Sequence, residues 1–87
     1  MLDQLIDFPC EFQIKIMGIN HEDLIPEITA IIARFSEGFD PEQNIQIKHS
    51  KNSKYLGVTA TINATSKQQL DEIYTLLNKH PLIRLTL

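Results

Sequence analysis

The stretch from Tyr55 to Leu77, YLGVTATINATSKQQLDEIYTLL, constrains the fold more than any other, because two structural periods meet in it. Leu56, Val58, Ala60, Ile62 and Ala64 alternate with Gly57, Thr59, Thr61 and Asn63, the pattern of a strand with one buried and one polar face. Such a strand belongs at the centre of a sheet. After Thr65-Ser66, either of which can cap the free N–H groups of a helix start, Leu70, Ile73, Tyr74 and Leu77 fall at i, i+3, i+4 and i+7. The rest of the chain reads as partners for this strand and helix.

Upstream, Phe12, Ile14 and Ile16 alternate with polar residues over Cys10 to Met17, a first strand that Gly18 is expected to break. Asn20 is a natural N-cap, with Asp23 at the third helical position, for a helix carrying Leu24, Ile25, Ile28, Ile31, Ile32 and Phe35 on one stripe. Pro26 disturbs that helix locally if it starts at Asn20, but is tolerated if the start moves to Asp23. Ser36-Glu37-Gly38 closes the helix, Gly38 taking a left-handed conformation cheaply. A turn at Phe39-Asp40-Pro41 leads to a short strand, Asn44 to His49, and a polar hairpin loop, Ser50 to Lys54. Lys79-His80-Pro81 stops the second helix, and Ile83, Leu85 and Leu87 mark a last strand. Ahead of these elements, Leu2, Leu5 and Ile6 stand at helical spacing before Phe8-Pro9, so residues 1–9 are expected as a docked or frayed segment of a single domain spanning 1–87.

This order, βαββαβ with right-handed crossovers, is that of an α+β ferredoxin-like sandwich: one four-stranded antiparallel sheet, order 4-1-3-2, with two helices on one face. The alternation assigns Phe12, Ile14, Ile16, Ile45, Ile47, Leu56, Val58, Ala60, Ile62, Ile83 and Leu85 to the core. To the open face it assigns Gln13, Lys15, Met17, Gln46, Lys48, Tyr55, Gly57, Thr59, Thr61, Asn63, Leu82, Arg84 and Thr86.

FPCEFQIKIMG (Phe8 to Gly18), the loop from Ser50 to Tyr55, INATS (Ile62 to Ser66) and the close HPLIRLTL resemble the YbeD-like family of short bacterial proteins of unknown function. The resemblance covers nearly the whole chain. In that family the loop commonly reads Ser-Ser-Lys-Gly-Asn-Tyr, so Ser50 and Tyr55 match while Ser53 stands where a glycine is usual. What the resemblance implies is a ferredoxin-like domain similar to small-molecule regulatory modules of the ACT type, with no established enzymatic activity.

Charge is unevenly spread along a chain of net charge −3. Residues 1–42 hold nine acids against Lys15 and Arg34, whereas residues 43–70 hold Lys48, Lys51, Lys54 and Lys67 and no acid. Four lysines are too few for a nucleic-acid footprint, and an RNA-recognition sheet would need clustered aromatics where only Tyr55 is available. No GxSxG, P-loop, CxxC or HExxH pattern occurs, so no catalytic nucleophile or cofactor cradle is indicated, and the chain reads as non-enzymatic with no cofactor. His21, His49 and His80 are not at ligand spacing, which argues against a metal site. Cys10, the single cysteine, reads as a small buried residue. Met1-Leu2-Asp3 lacks a basic secretion start and no apolar run is long enough for a bilayer, so a cytoplasmic chain without a membrane partner is expected.

Two candidate surfaces remain. The open face, through Lys15, Met17, Tyr55, Thr59, Thr61, Leu82 and Arg84, suits a partner protein or a second copy of the chain. The end of the sandwich where the loops after strand one, between strands two and three, and after helix two converge gathers Gly18, Asn20, His21, Lys51, Lys54, Lys79 and His80. That end is the place for an anion or small metabolite near Gly18 and Asn20. The leading expectation is a non-catalytic regulatory or adaptor domain working by protein–protein interaction, the alternative an ACT-like metabolite or anion sensor.

Overall fold

The computed structural model describes residues 7–87 and contains, in order, β1 (Cys10–Ile19), α1 (Leu24–Ala33), α2 (Pro41–Asn44), β2 (Ile45–His49), β3 (Tyr55–Ala64), α3 (Lys67–Lys79) and β4 (Ile83–Thr86). All strand pairings are antiparallel, in the order β2-β3-β1-β4. The central β1–β3 ladder runs from Cys10 opposite Ala64 to Ile19 opposite Tyr55 without a shift. This is the ferredoxin-like order expected, with the helices packed on one face. The segment holding Leu2, Leu5 and Ile6 lies outside the described residues, while Phe8 packs against the core.

Alternation decides which side of the sheet is buried. Ile14 and Ile16 of β1 and Leu56, Val58, Ala60, Ile62 and Ala64 of β3 meet Leu24, Ile28 and Ile32 of α1 and Leu70, Ile73 and Leu77 of α3, with Ile83 closing the β4 side. Each large aliphatic removed from water in this way contributes about 1.5–3 kcal/mol. Cys10 is only half-buried, packed against this cluster.

Of the expected core residues, Phe12 and Ile45 are half-buried and pack against this cluster, and two others are exposed. Ile47 is 48% exposed: its register opposite Val58 keeps it on the helix side, but β2 is an edge strand that the long helices do not cover. Leu85 is 49% exposed and faces the other way, for a reason found in the β4 register and described below.

Gly18 does not end β1. It is a buried strand residue, and a Cβ there would lie 2.6 Å from Leu24 Cδ1 and 2.9 Å from the Leu82 carbonyl oxygen. Glycine is therefore required where α1 and the β4 approach crowd the strand. Helix α1 starts three residues later than an Asn20 cap would place it, with Asp23 at the N-cap position and Pro26 in the first turn, where a missing N–H breaks no helical bond. At its other end, both the Phe35 and Ser36 amides donate to the Ile32 carbonyl, and Gly38 follows with φ +79°. Where only a turn was expected, Pro41–Asn44 forms a short helix. The Asp40 carboxylate accepts from the Glu42 amide at 3.0 Å with proline just inside, an Asp-Pro start signal visible in the sequence.

Gln69 is the polar residue that ties the layers together. Ser66 caps α3 by accepting from the Gln69 amide at 3.1 Å, while the buried Gln69 side chain accepts from the Thr65 amide at 2.7 Å and donates to the Phe35 carbonyl at 2.7 Å. The Ser66-x-x-Gln69 spacing is that of a capping box, but the return bond comes from the Thr65 amide, one residue before the cap, and the Gln69 side chain also reaches across to the end of α1. The Tyr74 hydroxyl donates to the Leu87 carbonyl at 2.9 Å, and burial pushes its phenol above the ordinary pKa.

Candidate functional site

Among the described residues nothing covers the face of the sheet opposite the helices. The register arranges that face in rows across the strands. One row runs Leu85, Met17, Gly57, Lys48 from β4 through β1 and β3 to β2. The next runs Leu87, Lys15, Thr59, Gln46, since Leu87 and Lys15 exchange backbone hydrogen bonds at 2.7 and 3.2 Å. Tyr55 lies beyond the first row and Thr61 beyond the second. Apolar side chains thus gather on the β4–β1 side and cations on Lys15 and Lys48. Met17, Tyr55, Leu85 and Leu87 are four of the five large hydrophobic residues exposed among the described residues, with Leu87 at 73%.

A one-residue bulge makes this patch. Gly18 pairs with Ile83 but Met17 pairs with Leu85, so Arg84 is the extra residue and the parity of β4 flips after it. Ile83 therefore faces the helices, Leu85 faces outward beside Met17, and Thr86 turns back to donate its hydroxyl to Asn78 Oδ1 of α3 at 2.8 Å. Three open-face assignments are corrected here, those of Thr86 and Arg84 by the bulge and that of Leu82 by the start of β4 at Ile83. Thr86 is on the helix side; Leu82 precedes the strand and packs against the core; and Arg84 folds back over its own turn, donating to the Pro81 carbonyl at 2.8 Å. Simple alternation carried through to the terminus could not reveal the bulge.

The loop end is also assembled, in part. Asn20 does not cap a helix; its backbone N–H donates to the Lys54 carbonyl at 3.0 Å and its side-chain amide to the Ser53 carbonyl at 2.8 Å, so β1 is tied to the 50–54 loop. Lys51, Lys54 and Lys79 are exposed there. Gly18 is buried beneath Leu24 and offers nothing to a ligand. The His21 Nδ1 accepts from the Asp23 amide at 2.9 Å. In His80, Nδ1 accepts from the Leu82 amide at 3.1 Å, which places the proton on Nε2, 2.9 Å from Glu27 Oε1. Both His80 nitrogens are thus engaged in fastening α1 to the turn before β4. Among the described residues no three His, Cys, Asp or Glu side chains group as metal ligands.

Ser53 adopts φ +56°, the left-handed conformation that explains a glycine at the equivalent loop position of the resembled family. Its loop is held by side chains: Ser50 Oγ accepts from the Tyr55 amide and Asn52 Oδ1 from the Lys54 amide, each at 3.1 Å.

Fold and surface together define a small ferredoxin-like α+β domain with an apolar and cationic open sheet face. The chain belongs to the family described as "Protein of unknown function (DUF493)", which matches residues 3–87, the same family as the YbeD-like proteins that its motifs resemble. A UPF0250 protein of Paraburkholderia phymatum is 40% identical over 85 residues, covering 98% of this chain and 94% of that one. A UPF0250 protein of Bordetella pertussis is 39% identical, covering 98% and 92%. The solution structure of protein HP0495 from H. pylori superposes with a TM-score of 0.77 over 94% of this chain and 85% of that one; at 16% identity it shows the fold alone. No helix among the described residues is long and apolar enough to cross a membrane.

Proposed function

We propose that this chain is a non-catalytic regulatory or adaptor domain that acts through protein–protein interaction, with the open sheet face around Met17, Tyr55, Leu85 and Leu87 as its contact surface. The observation that carries the reading is the gathering of exposed apolar side chains on one face when each could have been polar without cost to the core. Capture from a cytoplasmic extract compares wild type, Met17→Glu and the pair Lys51→Glu with Lys54→Glu. A partner retained by wild type and by the loop variant, but lost with Met17→Glu, is the expected result. Loss with the loop variant alone overturns the reading.

A second reading, an ACT-like sensor of a small metabolite or anion at the loop end, draws support from the hydrogen bonds that join Asn20 to the 50–54 loop. Glu22, Asp23 and Glu27 stand at the same end and oppose an anion there. A thermal-shift screen with amino acids and nucleotides separates the two readings, since a ligand at 100 times its dissociation constant stabilises by about 2.7 kcal/mol.

A further inference from the structure

Gly57 has no structural reason to be glycine. Its ladder to β1 is unshifted, its φ is not positive, and a Cβ would make ordinary contacts, 3.5 Å to the Lys48 carbonyl oxygen and 3.9 Å to Lys48 Cβ. A glycine inside a central strand is nevertheless a weak choice, and where no bulge or bend explains it, it commonly marks close approach by another molecule. What the missing side chain does here is open the floor of a trough. On one side of Gly57 lies a hollow of about 140 Å³ lined by Lys15, Met17, Leu85 and Leu87; on the other lies one of about 360 Å³ lined by Lys15, Gln46, Lys48 and Thr59.

The width and charge of the trough select an occupant. From Met17 on β1 to Lys48 on β2 is two strand spacings, roughly 10 Å, against a helix diameter of about 10–12 Å. A sheet whose second face carries apolar side chains is ordinarily closed by helices. Lys15 and Lys48 form no ion pair among the described residues. A second copy of this face would bring the same two cations against them, whereas a partner bearing carboxylates would neutralise them.

Resting on the reading of the open face as a contact surface, we propose that the trough takes an acidic amphipathic helix of a partner protein. Its apolar stripe lies on Met17, Leu85 and Leu87, its carboxylates face Lys48 and Lys15, and its backbone comes down over Gly57, where any larger side chain would hold it off.

The test is an NMR titration of the isotope-labelled full chain with two synthetic helical peptides of roughly 18 residues, one with a leucine stripe and glutamates, the other with the same stripe and lysines. Expected are saturable shifts at Lys15, Met17, Gly57 and Leu85 with the glutamate peptide, and affinity about tenfold weaker for the lysine peptide. Gly57→Val, which the backbone accommodates, weakens the glutamate peptide by a similar factor, and Lys15→Glu with Lys48→Glu reverses the preference. The inference is overturned if neither peptide shifts these residues, if both bind alike, if Gly57→Val binds as wild type, or if the face instead pairs with itself on concentration. In any of these cases a partner lost from capture with Met17→Glu would still uphold the contact surface while removing the acidic helix from it.

Discussion

Met17 and Leu85 stand opposite one another across β1 and β4, both exposed on the face away from the helices, and they do so because Arg84 is looped out as a bulge between Leu85 and Ile83. Had β4 kept strict alternation with Ile83, Leu85 would lie under α3 and the open face would lose the β4 end of its apolar row.

The bulge makes opposite demands on neighbouring residues. Ile83→Ala, at a position 7% exposed, should cost about 2–4 kcal/mol through lost burial and a cavity. Leu85→Ala should cost well under about 1 kcal/mol in the isolated chain. Urea unfolding of both variants checks this; reversed sensitivities would return β4 to simple alternation.

Two glycines on the strands of one ladder should respond in opposite directions. Gly18→Ala forces a Cβ against Leu24 and the Leu82 backbone and should destabilise by about 1–3 kcal/mol. Gly57→Ala meets only ordinary contacts and should be neutral or stabilising by about 0.5 kcal/mol. Thermal melts of the pair decide it, and a large loss at Gly57 would give that glycine a structural purpose.

The sequence carried most of this architecture because its strands and long helices obey clean periods, and the strand order follows from their succession. Its failures have physical causes. Gly18 looks like a strand breaker until the approach of Leu24 is seen, and that contact belongs to tertiary packing. Asn20 has the chemistry of a helix cap, but its side chain serves the 50–54 loop instead. The apolar patch was half legible: Met17, Tyr55 and Lys15 fell on the open face by parity, whereas Leu85 and Leu87 reached it through a bulge that no local signal announces. At the loop end, convergence followed from topology, but not the bonds that already occupy both nitrogens of His80.

Ser53→Gly should stabilise the chain by about 0.5–1 kcal/mol, because Ser53 holds a left-handed conformation at φ +56° that costs a residue with a Cβ more than it costs glycine. An unchanged or lower denaturation midpoint would mean that the loop relaxes away from this conformation.

Gln69→Ala should cost about 1–3 kcal/mol, more than its size suggests, since it leaves the Thr65 amide and the Phe35 carbonyl without their partner at the junction of α1, β3 and α3. Glu at this position can still accept from Thr65 but cannot donate to Phe35, so Gln69→Glu should also destabilise near neutral pH. Equal stability of Gln69→Glu and wild type in equilibrium unfolding would remove the link to Phe35 from the account.

The open face is tested most directly by placing a photo-crosslinking residue, p-benzoylphenylalanine, at Leu85, at Lys51 or at Glu72 on the helix side, and irradiating living cells. A discrete heavier protein product from position 85, reduced by Met17→Glu and missing from position 72, is the expected result. A product from position 51 with none from position 85 would contradict the account and assign the working surface to the loop end.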